Sequence, residues 1–224
     1  MHDEIPEIKD NSVDLILTDP PYLKEKLGLF DDLARFAIRK LKTGGALLFI
    51  YGRYQEPEVH EIFARYRDQL SYLWTFSIYH TGGQSIRIHT RGVWVDHKPM
   101  LAFVKGKLSD KLAVDDVHDF IESEKPDKEK HPWAQSPKEA LYFISRFTVG
   151  PDSIVVDPFL GSGAFAQAAI ELGRYFIRVE INKDTFDLAK ANLLMDEVQK
   201  KKQQQPDRQN SHSFSNMHNN LKVA

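Results

Sequence analysis

The chain has 224 residues, of which 42% are hydrophobic, and a formal net charge of −2, enough apolar material for one full core with a tail or a small insertion. It has no cysteine, which excludes disulfides, thiolate metal sites and cysteine nucleophiles and points to the cytoplasm; apolar runs no longer than a strand and an N-terminus without a hydrophobic leader argue against membrane insertion. Overall charge does not decide the partner, because basic residues can cluster locally on a near-neutral protein and still track phosphates.

Residues 3 to 11 are a polar approach to the apolar run Val13 to Leu17, which ends at Thr18-Asp19-Pro20-Pro21-Tyr22. Proline has no N–H to continue a ladder, so Asp19 is placed at the carboxyl end of a strand, where open α/β sheets carry their chemistry. The carboxylate and proline carbonyls accept hydrogen bonds and Tyr22 offers a flat face, which together suit a planar ring bearing an amino group. Taken by itself, Asp19-Pro20-Pro21-Tyr22 is equally a stiff turn. Leu27, Phe30, Ala34, Ala37 and Leu41 recur at helical spacing and predict a helix over about 27 to 42, closed by Gly44-Gly45 as a C-cap. Ala46 to Tyr51 reads as a strand covered on both faces. Pro57 opens a second helix with Val59, Ile62, Phe63, Tyr66 and Leu70 along one stripe.

Tyr72 to Tyr79 and Gly92 to Val104 flank the Gly82-Gly83 connection and predict an antiparallel hairpin at the sheet edge. The connection carries Arg87, His89 and Arg91, a basic stretch that suits a nucleic-acid backbone as well as it suits a solvated loop. Residues 105 to 130 are mostly charged and read as an insertion, with Val114, Val117, Phe120 and Ile121 as a short amphipathic piece. Ser136-Pro137-Lys138-Glu139 has the pattern of a capping box at a helix start. A second buried strand, Ser153 to Asp157, runs into Pro158-Phe159-Leu160-Gly161-Ser162-Gly163 and then a helix from Ala164 to Leu172. Strand, glycine turn and helix N-terminus let backbone approach a nucleotide-like cofactor without Cβ clashes. The following strand, Tyr175 to Ile181, carries Glu180 about 20 residues beyond the glycines, the usual place for an acid that binds ribose hydroxyls. Residues 199 to 224 are a polar tail expected to be disordered, and no histidine spacing suggests a metal.

The pair Asp19-Pro20-Pro21-Tyr22 and Asp157 to Gly163, in that order, resembles the beta-class S-adenosylmethionine-dependent DNA amino-methyltransferases, in which the catalytic motif precedes the cofactor motif. The resemblance covers most of residues 12 to 195. It implies an α/β fold with a Rossmann-like methyltransferase sheet, mostly parallel with an antiparallel edge hairpin and sequence-permuted halves. A catalytic domain over 1–198 would contain the 105–130 segment as a small target-recognition region. It further implies that Asp19 and the Pro20 carbonyl bind the exocyclic amino group of a base flipped from double-stranded DNA, that Pro21 stiffens the turn and that Tyr22 stacks on the base. Asp157, Pro158, Phe159, Gly161, Ser162 and Gly163 would form the methyl-donor site. Glu180 would hold its ribose, and Gln135, Ser136 and Pro137 would approach its amino-acid end.

Adenine N6 is the expected target, with cytosine N4, RNA or a protein glutamine as alternatives, and an inactive DNA-binding partner subunit as the non-enzymatic one. Family members usually carry a strand and helix before the catalytic strand, whereas this chain starts at Met1-His2-Asp3. An edge strand and some adenine contacts are thus expected to be absent or rebuilt, a natural start upstream of Met1 being one explanation that the native mass would test. The short recognition segment leaves sequence specificity either modest or supplied by a homodimer or partner protein.

Overall fold

The computed structural model describes residues 8–81, 85–107, 116–123, 137–159 and 164–178. In chain order these form β1 (Val13–Thr18), α1 (Gly28–Lys40), β2 (Leu41–Ile50), α2 (Glu56–Ala64), β3 (Leu70–His80), β4 (Ile86–Ile88), β5 (Val93–Val95), β6 (His97–Lys105), β7 (Phe120–Ser123), α3 (Pro137–Phe147), β8 (Ile154–Asp157), α4 (Ala164–Glu171) and β9 (Tyr175–Arg178). Seven strands make one sheet in the order β7-β3-β6-β2-β1-β8-β9, and β4 pairs with β5 in a separate ribbon. Every strand of the large sheet except β6 runs in the same direction.

The apolar strand runs follow from this layering, because a parallel strand covered by helices on both faces has no side to leave polar. On one face Ile16, Leu47, Phe49, Leu101 and Phe103 pack with Phe30, Leu33 and Ala37 of α1 and Val59 and Phe63 of α2. On the other, Leu15, Leu17, Leu48, Ile50, Met100 and Ala102 meet Ala140, Phe143 and Ile144 of α3 and Phe165, Ala168 and Ala169 of α4. Phe63 lies with its ring centroid 4.7 Å from Phe49 and 4.6 Å from Phe103, both stacked. Such pairs add about 0.5–1.5 kcal/mol each beyond the area they bury.

The expected parallel strands and crossover helices are present, and so is the antiparallel pairing of β3 with β6. Three local expectations are corrected. Helix α1 stops at Lys40, not at the glycines, and Leu41 is already extended. The Lys40 ammonium, 3% exposed, donates to Ile8 O at 2.8 Å and to Asp10 at 2.6 Å, fastening the helix end to the segment that leads into β1. Gly44 and Gly45 instead lie within β2, where the register to β1 shifts between Val13 and Leu15. Gly44 has φ +83°, and a Cβ on Gly45 would sit 3.0 Å from the carbonyls of Lys42 and Val13. These glycines make a bulge rather than a cap.

The run Gly92 to Val104 is broken at Asp96 into β5 and β6, so the basic connection is a structured ribbon rather than an open loop. Finally, Phe120 to Ser123, read as part of an insertion, adds to the sheet as β7, parallel to and outside β3. It is anchored by buried Ile121 and by Ser123, whose hydroxyl donates to buried Glu139 of α3. Glu139 was expected in a capping box with Ser136, which lies outside the described residues. So do Gln135, Gly161, Ser162, Gly163, Glu180 and the tail 199–224. No helix among the described residues is long and apolar enough to cross a membrane.

Candidate active site

Strands β1, β2 and β8 end together at one rim of the sheet, and the two sequence motifs meet there. At the end of β1, Thr18 is fully buried and donates through Oγ1 to Asp157 Oδ1 at 2.6 Å, across 139 residues of chain. The same carboxylate oxygen accepts the backbone N–H of Phe159 at 2.9 Å. Asp157 is 1% exposed, so its carboxylate serves to order the turn that follows β8. The resemblance implies that Asp157 belongs to the donor site; the bonds it makes here are to the Thr18 hydroxyl and the Phe159 backbone. Pro158 is buried and Phe159 is half-buried. Thr18 was not singled out from sequence; a threonine closing an apolar strand immediately before the motif is the trace it leaves.

At the opposite end of β1, Asp14 ties the same three strands. It accepts Lys42 Nζ at 2.7 Å and the Ile154 N–H at 2.8 Å. With β1 held at both ends, Asp19 has a fixed origin.

The Asp19 side chain is 17% exposed and forms a loose ion pair with Lys98, Nζ to Oδ2 3.8 Å. Lys98 belongs to β6, the one strand that runs against the others, so its amino-terminal end reaches the rim where β1 finishes. That placement depends on strand direction and left no mark in the sequence. Tyr22 donates its hydroxyl to Asp19 Oδ1. Burial of the hydroxyl, and then the neighbouring Asp19 charge, push the phenol well above its ordinary range, so it stays a neutral donor, while the residue as a whole keeps 37% of its surface. Pro20 is buried and Pro21 exposed.

Tyr22 is seated against Gly52, just beyond β2. A Cβ on Gly52 would lie 2.8 Å from Tyr22 Cβ, 3.2 Å from its Cγ and 2.9 Å from Gln55 Oε1. Gly52 has φ −80° and ψ 133°, a conformation open to any residue. Space, not backbone freedom, requires glycine here.

The residues expected to contact nucleic acid lie on the ribbon, the two arginines over different rings. Arg87 places its guanidinium 5.9 Å from the Trp94 ring centroid, whereas Arg91 turns back toward the body and covers Tyr54 at 4.8 Å. His89 is exposed at the turn. Among the expected donor-site residues the structure places Asp157, Pro158 and Phe159 at the end of β8 and Pro137 at the start of α3.

An acceptor carboxylate, an aromatic ring beside it and the fixed end of the neighbouring strand can hold an amine next to an electrophilic donor. The end of β8 fits a nucleoside-type group on its own features: a buried carboxylate fixes the backbone at Phe159, whose side chain is half-buried.

Residues 13–191 match the N6/N4 methyltransferase family model described as DNA methylase. The chain is 27% identical to the type II methyltransferase M.HpaI of Haemophilus parainfluenzae, over 83% of this chain and 69% of that protein. It is 28% identical to the type II methyltransferase M.BglII of Bacillus subtilis, over 82% of this chain and 64% of the relative. The chain thus spans about two thirds of the length of these relatives. The crystal structure of an M1.HpyAVI–SAM complex superposes with a TM-score of 0.65 at 26% identity, covering 81% of this chain and 89% of that one.

Proposed function

The chain belongs to the DNA methylase family of N6 and N4 amino-methyltransferases, whose methyl donor is S-adenosylmethionine, and from that premise we propose that it methylates the exocyclic N6 amino group of an adenine extruded from double-stranded DNA. The observation that carries the reading is the joining of the two motifs by the Thr18–Asp157 hydrogen bond. This bond holds the ends of the paired strands β1 and β8, and with them Asp19 and Asp157, beside one another.

An amino nitrogen conjugated to a base ring is a poor nucleophile, because its lone pair is delocalised. The Asp19 carboxylate and the Pro20 carbonyl accept its two N–H bonds, which returns density to nitrogen and fixes the direction of the lone pair. Asp19 is also the acceptor nearest to the proton that the nitrogen loses on methylation. Lys98, 3.8 Å away, keeps that carboxylate in place without covering it. Tyr22 lays its ring against the base, offsetting part of the few kcal/mol that unstacking costs. S-adenosylmethionine supplies, when bound, a methyl group already activated on a sulfonium. Phe159, Gly161, Ser162, Gly163 and Glu180 would hold it, with Gln135, Ser136 and Pro137 at its amino-acid end. The chain's task is alignment, and positioning of this kind lowers a barrier by several kcal/mol.

Aspartate in the first position of the motif favours adenine N6 over cytosine N4. Double-stranded DNA is the partner on this reading, and modification beside a restriction enzyme is the biological setting suggested by the type II relatives. Incubation with labelled S-adenosylmethionine and unmethylated DNA, followed by nucleoside analysis, separates the targets: N6-methyladenine supports the proposal, N4-methylcytosine replaces the base, and label in protein or RNA alone refutes it.

A further inference from the structure

The methylation reading accounts for the rim over β8 and β1 but leaves the next stretch of the same rim without a role. A cavity of about 420 Å³ lies between the β4–β5 ribbon and the ends of β2 and β6, within the size range of small-ligand sites. Arg53 and His97, on its wall, each adjoin in sequence a residue of the active site: Gly52, which seats Tyr22, and Lys98, which pairs with Asp19. In sheet order the rim carries the donor turn on β8, the amine acceptor on β1, and then this cavity over β2 and β6. The donor occupies one side of the reacting amine, so the rest of the substrate must extend over the other, toward the cavity.

The lining argues for a base rather than a phosphate. Its guanidiniums are already engaged: Arg53 donates to Glu56 Oε2 at 3.1 Å and contacts His97 Nε2, and Arg91 covers the Tyr54 ring at 4.8 Å. Carboxylates stand on the same wall, Glu56 among them, and these repel a phosphate while alternating acceptors with donors, as a base edge requires. Burial and the Arg53 charge hold the His97 imidazole below its ordinary value, so it is neutral at pH 7, and with Nε2 accepting from Arg53 it offers its Nδ1–H as a donor. Two flat surfaces complete the site, Tyr54 at 42% and Trp94 at 59% exposure. Each ring carries an arginine on one face, Arg91 on Tyr54 and Arg87 on Trp94, and its remaining exposed surface beside a polar edge is the kind of platform on which proteins hold single bases.

We infer that this cavity is a specificity pocket: it receives the base of a nucleotide neighbouring the methylated one, stacked on Tyr54 or Trp94 and read at its edge by Glu56 and His97, which Arg53 holds in place. The inference rests on the DNA-methylation reading, and the ribbon would close over the base from outside.

The test is the sequence context of methylation, read base by base on genomic DNA treated with wild type, Tyr54→Ala, Trp94→Ala or Glu56→Gln. Tyr54 and Trp94 are exposed, and glutamine keeps one oxygen to accept from Arg53 and an NH2 that can donate to the Tyr51 hydroxyl, so the variants keep the fold. The expected result is that discrimination at one position beside the methylated base falls about ten- to a hundredfold in the variants, the range of one lost base stack, with unchanged stringency elsewhere and unchanged donor affinity. A wild type without preference beside the methylated base, variants with the wild-type context, or a loss spread evenly over all positions would overturn the pocket while leaving the methylation reading intact. No methylation of DNA by the wild type overturns both.

Discussion

Replacing Gly52 by alanine probes the seat of Tyr22 with a single carbon. Alanine takes the backbone conformation of Gly52, φ −80° and ψ 133°, without strain, so the whole effect comes from the added Cβ. That atom would stand 2.8 Å from Tyr22 Cβ and 2.9 Å from Gln55 Oε1. The Gln55 amide lies at the end of a flexible side chain and swings away at little cost. Tyr22 Cβ is bound directly to backbone that follows two prolines, and it cannot. Carbon atoms rest at about 3.5–4.0 Å, so Tyr22 must retreat by roughly 0.7–1.2 Å, and Asp19, bonded to its hydroxyl, moves with it. A displacement of about 1 Å in a positioning group costs on the order of a hundredfold in rate, and overpacking of this kind costs about 1–3 kcal/mol of stability. The expected result in steady-state methyl transfer is a kcat/KM near one hundredth of wild type, with donor affinity by calorimetry unchanged, because the turn after β8 is untouched. A fluorescent adenine analogue at the target position should lose the wild-type signal of a stacked, extruded base. Wild-type kcat/KM in Gly52→Ala would refute the claim that this glycine places Tyr22.

Thr18→Val keeps shape but removes the hydroxyl that Asp157 accepts; it should cost about 1–3 kcal/mol in urea unfolding and weaken donor binding, with Thr18→Ser restoring both. Tyr22→Phe should stay within a few-fold of wild type, because the aromatic face remains, whereas Tyr22→Ala should lose about ten- to a hundredfold in kcat/KM, the worth of one stack; equal losses would move the role from the ring to the hydroxyl. Asp31 joins α1 to the end of α2, accepting from Tyr66 Oη at 2.8 Å and Arg65 at 2.9 Å as well as from Arg35, and its hydrogen bond to Arg35 foremost holds the carboxyl below its ordinary value. A depressed carboxyl contributes stability above the unfolded pKa of about 4 and loses it as pH falls through the folded value. The difference in urea midpoint between wild type and Asp31→Asn should therefore be constant from about pH 7 to pH 5 and close below pH 4; a difference that persists at low pH would contradict the assignment.

Much of this arrangement was legible in the chain because the relevant signals are local. Two prolines after an apolar run identify the end of β1 from sequence alone, and the turn after Asp157 is marked in the same way by Pro158 and its glycines. What escaped was set by partners far away in sequence. Gly44-Gly45 has the look of a helix end, yet the bulge between β1 and β2 uses both glycines, and α1 is stopped instead by Lys40 reaching Ile8 and Asp10. Phe120 to Ser123 sits in charged sequence and becomes a strand only because β3 offers an edge and Glu139 receives Ser123. Lys98, Thr18 and Gly52 enter the site through strand direction, a bond across 139 residues and a steric seat. None of these has a periodicity to read. The charge of the 81–91 connection was visible, but its division into an inward Arg91 over Tyr54 and an Arg87 over Trp94 required the pairing of β4 with β5.

The central claim is that the Asp19 carboxylate, set beside the donor turn, activates a DNA amino group. Its most direct test is single-turnover transfer of labelled methyl from S-adenosylmethionine to unmethylated genomic DNA by wild type and Asp19→Ala, with the labelled nucleoside identified and donor binding measured in parallel. The account predicts N6-methyladenine from the wild type and none from the variant, with the same donor affinity in both. Donor binding without transfer to DNA, or transfer that survives in Asp19→Ala, would contradict it.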